Sequence, residues 1–373
     1  MHDKVRVTWE DLKFGEMLSW NIYDQQGKLL LSAGHVISSK ETMEHLRRHI
    51  LYRNIVDGEY GRRNRQKKLN AFNELDKYVR RLQQVFTDIV AADPGCKEKI
   101  HRLARDVIGL CRFEPEGALA VLRTPNDYPY AAYHALQCAI MCGLMVIDED
   151  LYQDEQESMV AAALTANVAM RELQDKLHRQ NHFLTDDELD IIDMHPEQGV
   201  ALLQACGIKD ETWLEIILQH HEHGDGSGYP RALYAKEISK GARMLAVADH
   251  YSENLLHPEF RQASSVDEAM MMYFGDNGEK FDSHYAQRLL EIMTVYPPGS
   301  FVKLTNGEIA IVIRRGRQDG MLPVLKSIAG ANGKRYANPL LRDCSIHNYV
   351  IESSCYYPEC ERLNYVNLWG YGK

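Results

Sequence analysis

The chain has 373 residues, 45% of them hydrophobic and 26% charged, with a formal net charge of −10. That length exceeds what one core usually supports, so two or three domains are expected. The negative balance argues against nucleic-acid binding and leaves any anionic ligand to a local metal or a few Arg side chains.

At the N-terminus, MHDKVRVTWEDLKFG has no apolar core and does not read as a secretory signal. Residues 1–65 read as a small α+β domain rich in strands. Gly27 lies between two apolar runs, as in a hairpin, and a short helix is expected over Ser39–His49. Arg62, Arg63, Arg65, Lys67 and Lys68 then form a run that reads better as a solvated linker than as an anion patch.

Residues 66–296 read as helices. Phe72, Leu75, Tyr78, Val79 and Leu82 recur at helical spacing. The stretch Ala135–Ile147 is the most apolar but too short to span a bilayer, so no membrane partner and a cytoplasmic location are expected. Thr185 and Glu188 form a capping-box pattern that starts a helix near Asp186, with Ile191 and Ile192 on its apolar face. His195 before Pro196 suggests the join between two helices, and Gly207 suits a C-terminal cap. Residues 297–352 read as a small β module, with a turn at Thr305-Asn306-Gly307 and a second at Gly330–Gly333. The tail, 353–373, is rich in Tyr and shows no periodicity. The eight cysteines form no C-x-x-C pairs, so buried reduced thiols are expected.

The chemistry concentrates in four places. The strongest is His220-His221-Glu222-His223-Gly224-Asp225-Gly226-Ser227-Gly228-Tyr229-Pro230. Trp213, Leu214, Ile216 and Ile217 precede it as an apolar face from which His220 projects inward, and a buried imidazole needs a partner such as a metal. Asp249 falls on one face with Ala242, Leu245 and Ala246; a carboxylate there must be paired or metal-bound. His195, and His134 on the helix carrying Cys138 and Cys142, complete the set.

Together, His134, His195, His220, His221 and Asp249 resemble the metal ligands of the HD-GYP family, the subset of HD-domain phosphohydrolases that hydrolyses cyclic di-GMP. The resemblance runs from about 105 to 295 and includes HP-x-x-G at His195–Gly199 and R-x-x-x-VAD at Arg243–Asp249. It implies a mainly α fold: an HD-type helical bundle flanked by a small N-terminal β-rich domain and the C-terminal β module. It also implies that Asp225, Gly226, Gly228, Tyr229 and Pro230 form a loop contacting ligand or protein partners. The family's His-Asp pair is absent: Ala166 and Asn167 occupy those positions, and Met170 stands for a phosphate-contacting Lys. In the family that Asp bridges two metals, and Asn167 is a poor bridge between dications. The resemblance therefore implies a degenerate member in cyclic di-GMP signalling, acting by ligand or protein binding with little or no hydrolysis. At most one divalent metal, Fe, Mn or similar, is expected, with a homodimer as a further expectation. The alternative is an active phosphodiesterase with a reduced metal site.

Overall fold

The computed structural model describes residues 4–7, 12, 22–24, 29–31, 46, 51–54, 69–147, 149, 151–180, 183–254, 274–275, 279–316, 322–344 and 349–371. They divide into two units, Met1–Lys68 and Leu69–Lys373. In the first, β1 (Lys4–Arg6), β2 (Ile22–Tyr23), β3 (Leu29–Leu31) and β4 (Tyr52–Asn54) form an antiparallel sheet of order β1-β4-β2-β3. The β2–β3 pair is the hairpin expected around Gly27. Val7, Leu12, Ile22, Leu46 and Leu51 form its small core. The helix expected over Ser39–His49, apart from Leu46, and the Arg/Lys run at 62–68 lie outside the described residues.

The second unit begins with α1 (Ala71–Val90), α2 (Cys96–Phe113) and α3 (Pro115–Val121). Next come α4 (Tyr130–Val146), α5 (Gln153–Thr165), a 3-10 turn (Val168–Met170) and α6 (Arg171–Leu177). The site helices follow: α7 (Asp186–Ala205), α8 (Glu211–Gln219) and α9 (Lys240–Asn254), then α10 (Ser283–Met293). α4 is buried on every side from Ala131 to Val146, as a helix without a polar face must be. It packs against α2, α5 and α9, which explains its apolar run as a central core helix. No described helix is long and apolar enough to cross a membrane. All eight cysteines are free, and seven of them are buried.

The capping box at Thr185 and Glu188 starts α7 as expected, and Gly207 follows its end at φ +80°. The join expected at His195-Pro196 does not occur: α7 runs through Pro196 to Ala205. Proline has no N–H to give the carbonyl of Ile192, the usual cause of a break. Here His195 Nδ1 donates to that carbonyl at 2.5 Å, so the orphaned acceptor is satisfied from the side chain. Ile191, expected on a buried face, is 40% exposed; α7 instead buries His195, Pro196, Gly199 and Leu203.

The C-terminal part is an antiparallel sheet of order β8-β7-β6-β5-β9, from β5 (Phe301–Leu304), β6 (Ile309–Arg314), β7 (Val324–Ala329), β8 (Arg335–Asp343) and β9 (Ile351–Ser354). The β5–β6 turn falls on Thr305-Asn306-Gly307, with Gly307 at φ +82°. Buried Glu308 accepts from Ser327 Oγ, Tyr336 OH and both Arg342 Nε and a terminal Arg342 nitrogen, the last two at 2.7 Å. The residues after β9 carry α11 (Tyr365–Leu368). Leu368 and Trp369 pack with Ala120, Ile311 and Ile328, Trp369 stands edge-on to Phe72 at 5.2 Å, and Tyr371 OH donates to Glu114 at 3.1 Å. These aromatics fasten the sheet to α1 and α3.

Candidate metal centre

Three histidines reach one point from two helices. His195 hangs from the middle of α7, its ring fixed by the Ile192 carbonyl. His220 caps α8, whose last carbonyls lack helical partners, and its Nδ1 donates to Ile217 O at 2.6 Å. With Nδ1 carrying the proton on both rings, each Nε2 must be a lone-pair acceptor. Yet the two Nε2 atoms lie 3.3 Å apart, and Asn167 Oδ1 lies 3.2 Å from His220 Nε2. The Nε2 of His221 is buried with no hydrogen-bond partner. One ring nitrogen from each of His195, His220 and His221 falls within 4.8 Å of the others.

Acceptors facing acceptors in a buried site repel unless a cation lies between them. Two nitrogens each roughly 2.0–2.1 Å from one tetrahedral ion stand about 3.3–3.4 Å apart, the separation that His195 and His220 show. The rings are also kept neutral. Burial, then the neighbouring His220, lowers His195 to about 3; burial likewise lowers His220, and lowers His221 well below the usual range. The donor set and the orphaned nitrogen thus fit a divalent metal.

Beside this cluster lies a second group: His134 and Cys138 on α4 and Asp249 on α9. His134 Nε2 donates to Asp249 Oδ1 at 2.8 Å, and its Nδ1 lies 3.2 Å from Ser252 Oγ. Ser252 in turn donates to Gln137 Oε1 at 3.1 Å, and Gln137 donates to Leu122 O. Burial alone would lower the His134 pKa, but its hydrogen bond to Asp249 and that group's charge raise it. Burial opposes ionisation of Asp249 as well, and the same hydrogen bond outweighs it, holding the carboxyl well below its usual range. The pair is therefore closed on itself: one ring nitrogen meets the carboxylate and the other meets Ser252 Oγ, so neither is left without a partner. Cys138 Sγ sits 3.7 Å from Asp249 Oδ1, and burial keeps it a thiol. The charge of Asp249 reaches all three histidines of the first cluster.

The loop after His221 folds back over it. The Tyr229 ring stacks on His221 at 4.9 Å and 15°, and Tyr229 N–H donates to His221 O. Gly228 must be glycine, because a Cβ there would stand 2.3 Å from His223 N. Gly226 sits at φ +79° against the Tyr234 ring. Asp225 braces the turn by accepting from Ser227 N–H at 2.9 Å. Glu222, buried, accepts from the N–H groups of Arg231 at 2.6 Å and Leu233 at 2.8 Å, and so pins the far end of the loop next to Pro230. Arg243 pairs with Asp282 at 2.6 Å.

Ala166 and Met170 are buried, and Asn167 presents its amide to His220. His178 is exposed and stacks on Tyr130; His182 lies outside the described residues. Sequence reasoning missed Cys138, Ser252 and Gln137 as neighbours of His134. Their spacings, four residues from His134, three from Asp249 and three from His134, are the helical signal that could have found them. It also missed Glu222 as the brace of the loop.

Residues 127–285 of this chain match the HD domain family. Its fold is that of an HD-GYP protein. An HDG"Y"P protein from Bdellovibrio bacteriovorus shares it with a TM-score of 0.50 at 15% identity, over 78% of this chain and 99% of that one. The chain is similar to a cyclic di-GMP phosphodiesterase of Pseudomonas aeruginosa, 27% identical over 58% of this chain and 52% of that protein. It is 22% identical to the cyclic di-GMP phosphodiesterase PdeB of Borreliella burgdorferi over 55% of this chain and 54% of that one. The response regulator RpfG of Xanthomonas campestris, another cyclic di-GMP phosphodiesterase, is 29% identical over 40% of each chain. The chain spans about half the length of these curated relatives or less.

Proposed function

We propose that this chain acts in cyclic di-GMP signalling as a binding protein with little or no hydrolysis, holding one divalent cation on His195, His220 and His221. The observation that carries this reading is Asn167: an uncharged amide, not a carboxylate, stands 3.2 Å from His220 Nε2. When bound, such a metal polarises phosphate oxygens and lowers the pKa of a bound water. A pair of metals needs a bridging anion, and the cluster of three histidines contains no acid. Asp249 is committed to His134, and ligation by either would require that pair to open. Ala166 and Met170 add neither charge nor a donor for phosphate.

The chain's own groups then bind rather than cut. His195 and His220 keep their Nε2 lone pairs aimed at the cation because backbone carbonyls hold the other nitrogens. The Asp225–Pro230 loop, braced by Glu222 and stacked on His221 through Tyr229, offers the surface for nucleotide or protein contact. The relatives named as cyclic di-GMP phosphodiesterases supply the ligand class. Titration of the chelator-free protein with cyclic di-GMP, alongside an assay for linear pGpG, tests this. Saturable binding without product is expected. Turnover at roughly 1 s⁻¹ or above, within the range of ordinary enzymes, would overturn it.

A further inference from the structure

A cavity lies where the helical bundle meets the C-terminal sheet. Its volume is about 370 Å³, near the lower end of the roughly 300–1,000 Å³ of small-molecule pockets. That volume suits a ligand of about mononucleotide size. Tyr128, Tyr130, Tyr296, Phe301 and Tyr356 line it, so it is walled by aromatic faces from both parts of the unit. It contains none of His195, His220, His221 or Asp249. Tyr130 separates the two sites: its ring stacks on His178 at 4.2 Å on one side and on His134 at 5.5 Å on the other.

Two groups in the wall are left unsatisfied. Arg123 is half-buried, its Nε has no hydrogen-bond partner, and its guanidinium makes no ion pair among the described residues. A half-buried guanidinium without an anion is costly, and it is the side chain best shaped to take a phosphate or carboxylate. Thr294, which ends α10, has a buried Oγ1 with no partner and a backbone at φ 58°, ψ 172°. That region is all but closed to a β-branched residue, and such strain gathers at binding sites. The acid at the rim is Glu361.

We propose that this cavity is a binding site for a small planar aromatic anion of nucleoside monophosphate size. The ring stacks among the tyrosines and the anionic group pairs with Arg123. Base stacking on aromatic side chains is tolerant of base identity, and the size of the cavity does the selecting. This inference does not rest on the metal centre.

The test is calorimetric titration of the full chain with GMP in the presence of EDTA, with guanosine and inorganic phosphate as separate arms. One GMP per chain is expected, with guanosine at least tenfold weaker and phosphate alone not saturating. Arg123→Met should weaken GMP at least tenfold, and Tyr356→Ala, at an exposed rim position, several-fold, with the metal content of both variants unchanged. Absence of saturable GMP binding, or GMP binding that both variants leave intact, would overturn the proposal. Because EDTA removes metal at the outset, failure here is distinct from failure at the histidine cluster.

Discussion

The two halves of the site are built from similar side chains and end in opposite states. His134 and Asp249 are a closed account of donors and acceptors: imidazole to carboxylate, then hydroxyl, amide and backbone carbonyl in a chain. His195, His220 and His221 are the reverse, neutral rings whose free nitrogens converge with no donor between them. Both groups lie largely out of solvent, the second more completely than the first, so burial alone does not mark a metal site. What marks it is where the second ring nitrogen goes. A backbone carbonyl at Nδ1 leaves Nε2 as a lone pair, whereas a carboxylate at Nε2 and a hydroxyl at Nδ1 leave neither nitrogen free for a metal.

The sharpest way to break this comparison is to remove one ring from each half. His220→Ala should lower metal affinity by 100-fold or more, beyond the 10–100-fold typical of supporting residues; metal content after gel filtration reads it. His134→Gln should leave bound metal within about threefold but destabilise the fold by about 3 kcal/mol, because Asp249 loses its partner in a buried site. Urea unfolding reads that loss. If His134→Gln strips the metal as fully as His220→Ala does, the two halves are one site and the distinction fails.

Asn167→Asp sharpens the same contrast by placing a charge among the neutral acceptors. About a tenfold gain in metal affinity is expected, measurable by competition with a chelator. The loop offers a smaller effect: Glu222→Gln weakens two charge-assisted bonds to Arg231 and Leu233 and should reduce cyclic di-GMP affinity several-fold with metal unchanged.

A separate effect, on stability and not on metal or ligand, lies outside the centre, in a buried charge that is fully partnered. Hydrogen bonds from Arg342 first, then Ser327 and Tyr336, hold Glu308 at about 2 against burial. Its folded pKa lies below the unfolded value, so its contribution is present above about pH 4.5 and is lost as pH falls towards 2. Glu308→Gln should therefore cost about 2 kcal/mol at pH 7 and flatten the acid limb of the stability curve. An unchanged acid limb would mean that this network contributes little.

Much of the bundle and the centre is legible in the sequence. Helical spacing places His220 and Asp249 on buried faces, and the capping box and Gly207 bound α7 as expected. The departure at Ala166 and Asn167 is legible only against the family pattern, and the structure sets Asn167 beside His220. Pro196 inside α7 was not legible, because the bond that rescues it comes from a side chain whose direction depends on the fold. The tail was not legible because Tyr365, Trp369 and Tyr371 are fixed by Phe72 and Glu114, some 250 residues away or more, and follow no local period. The engagement of His134 depends on Asp249 and Ser252 from another helix, which its own spacing does not show.

The central claim is that three neutral imidazoles, without a bridging acid, hold one cation. Metal per chain, measured by mass spectrometry on protein purified without chelator, tests it most directly. About one divalent ion per chain is predicted, falling to near zero in His220→Ala. Two ions per chain, or one that survives His220→Ala, would contradict it.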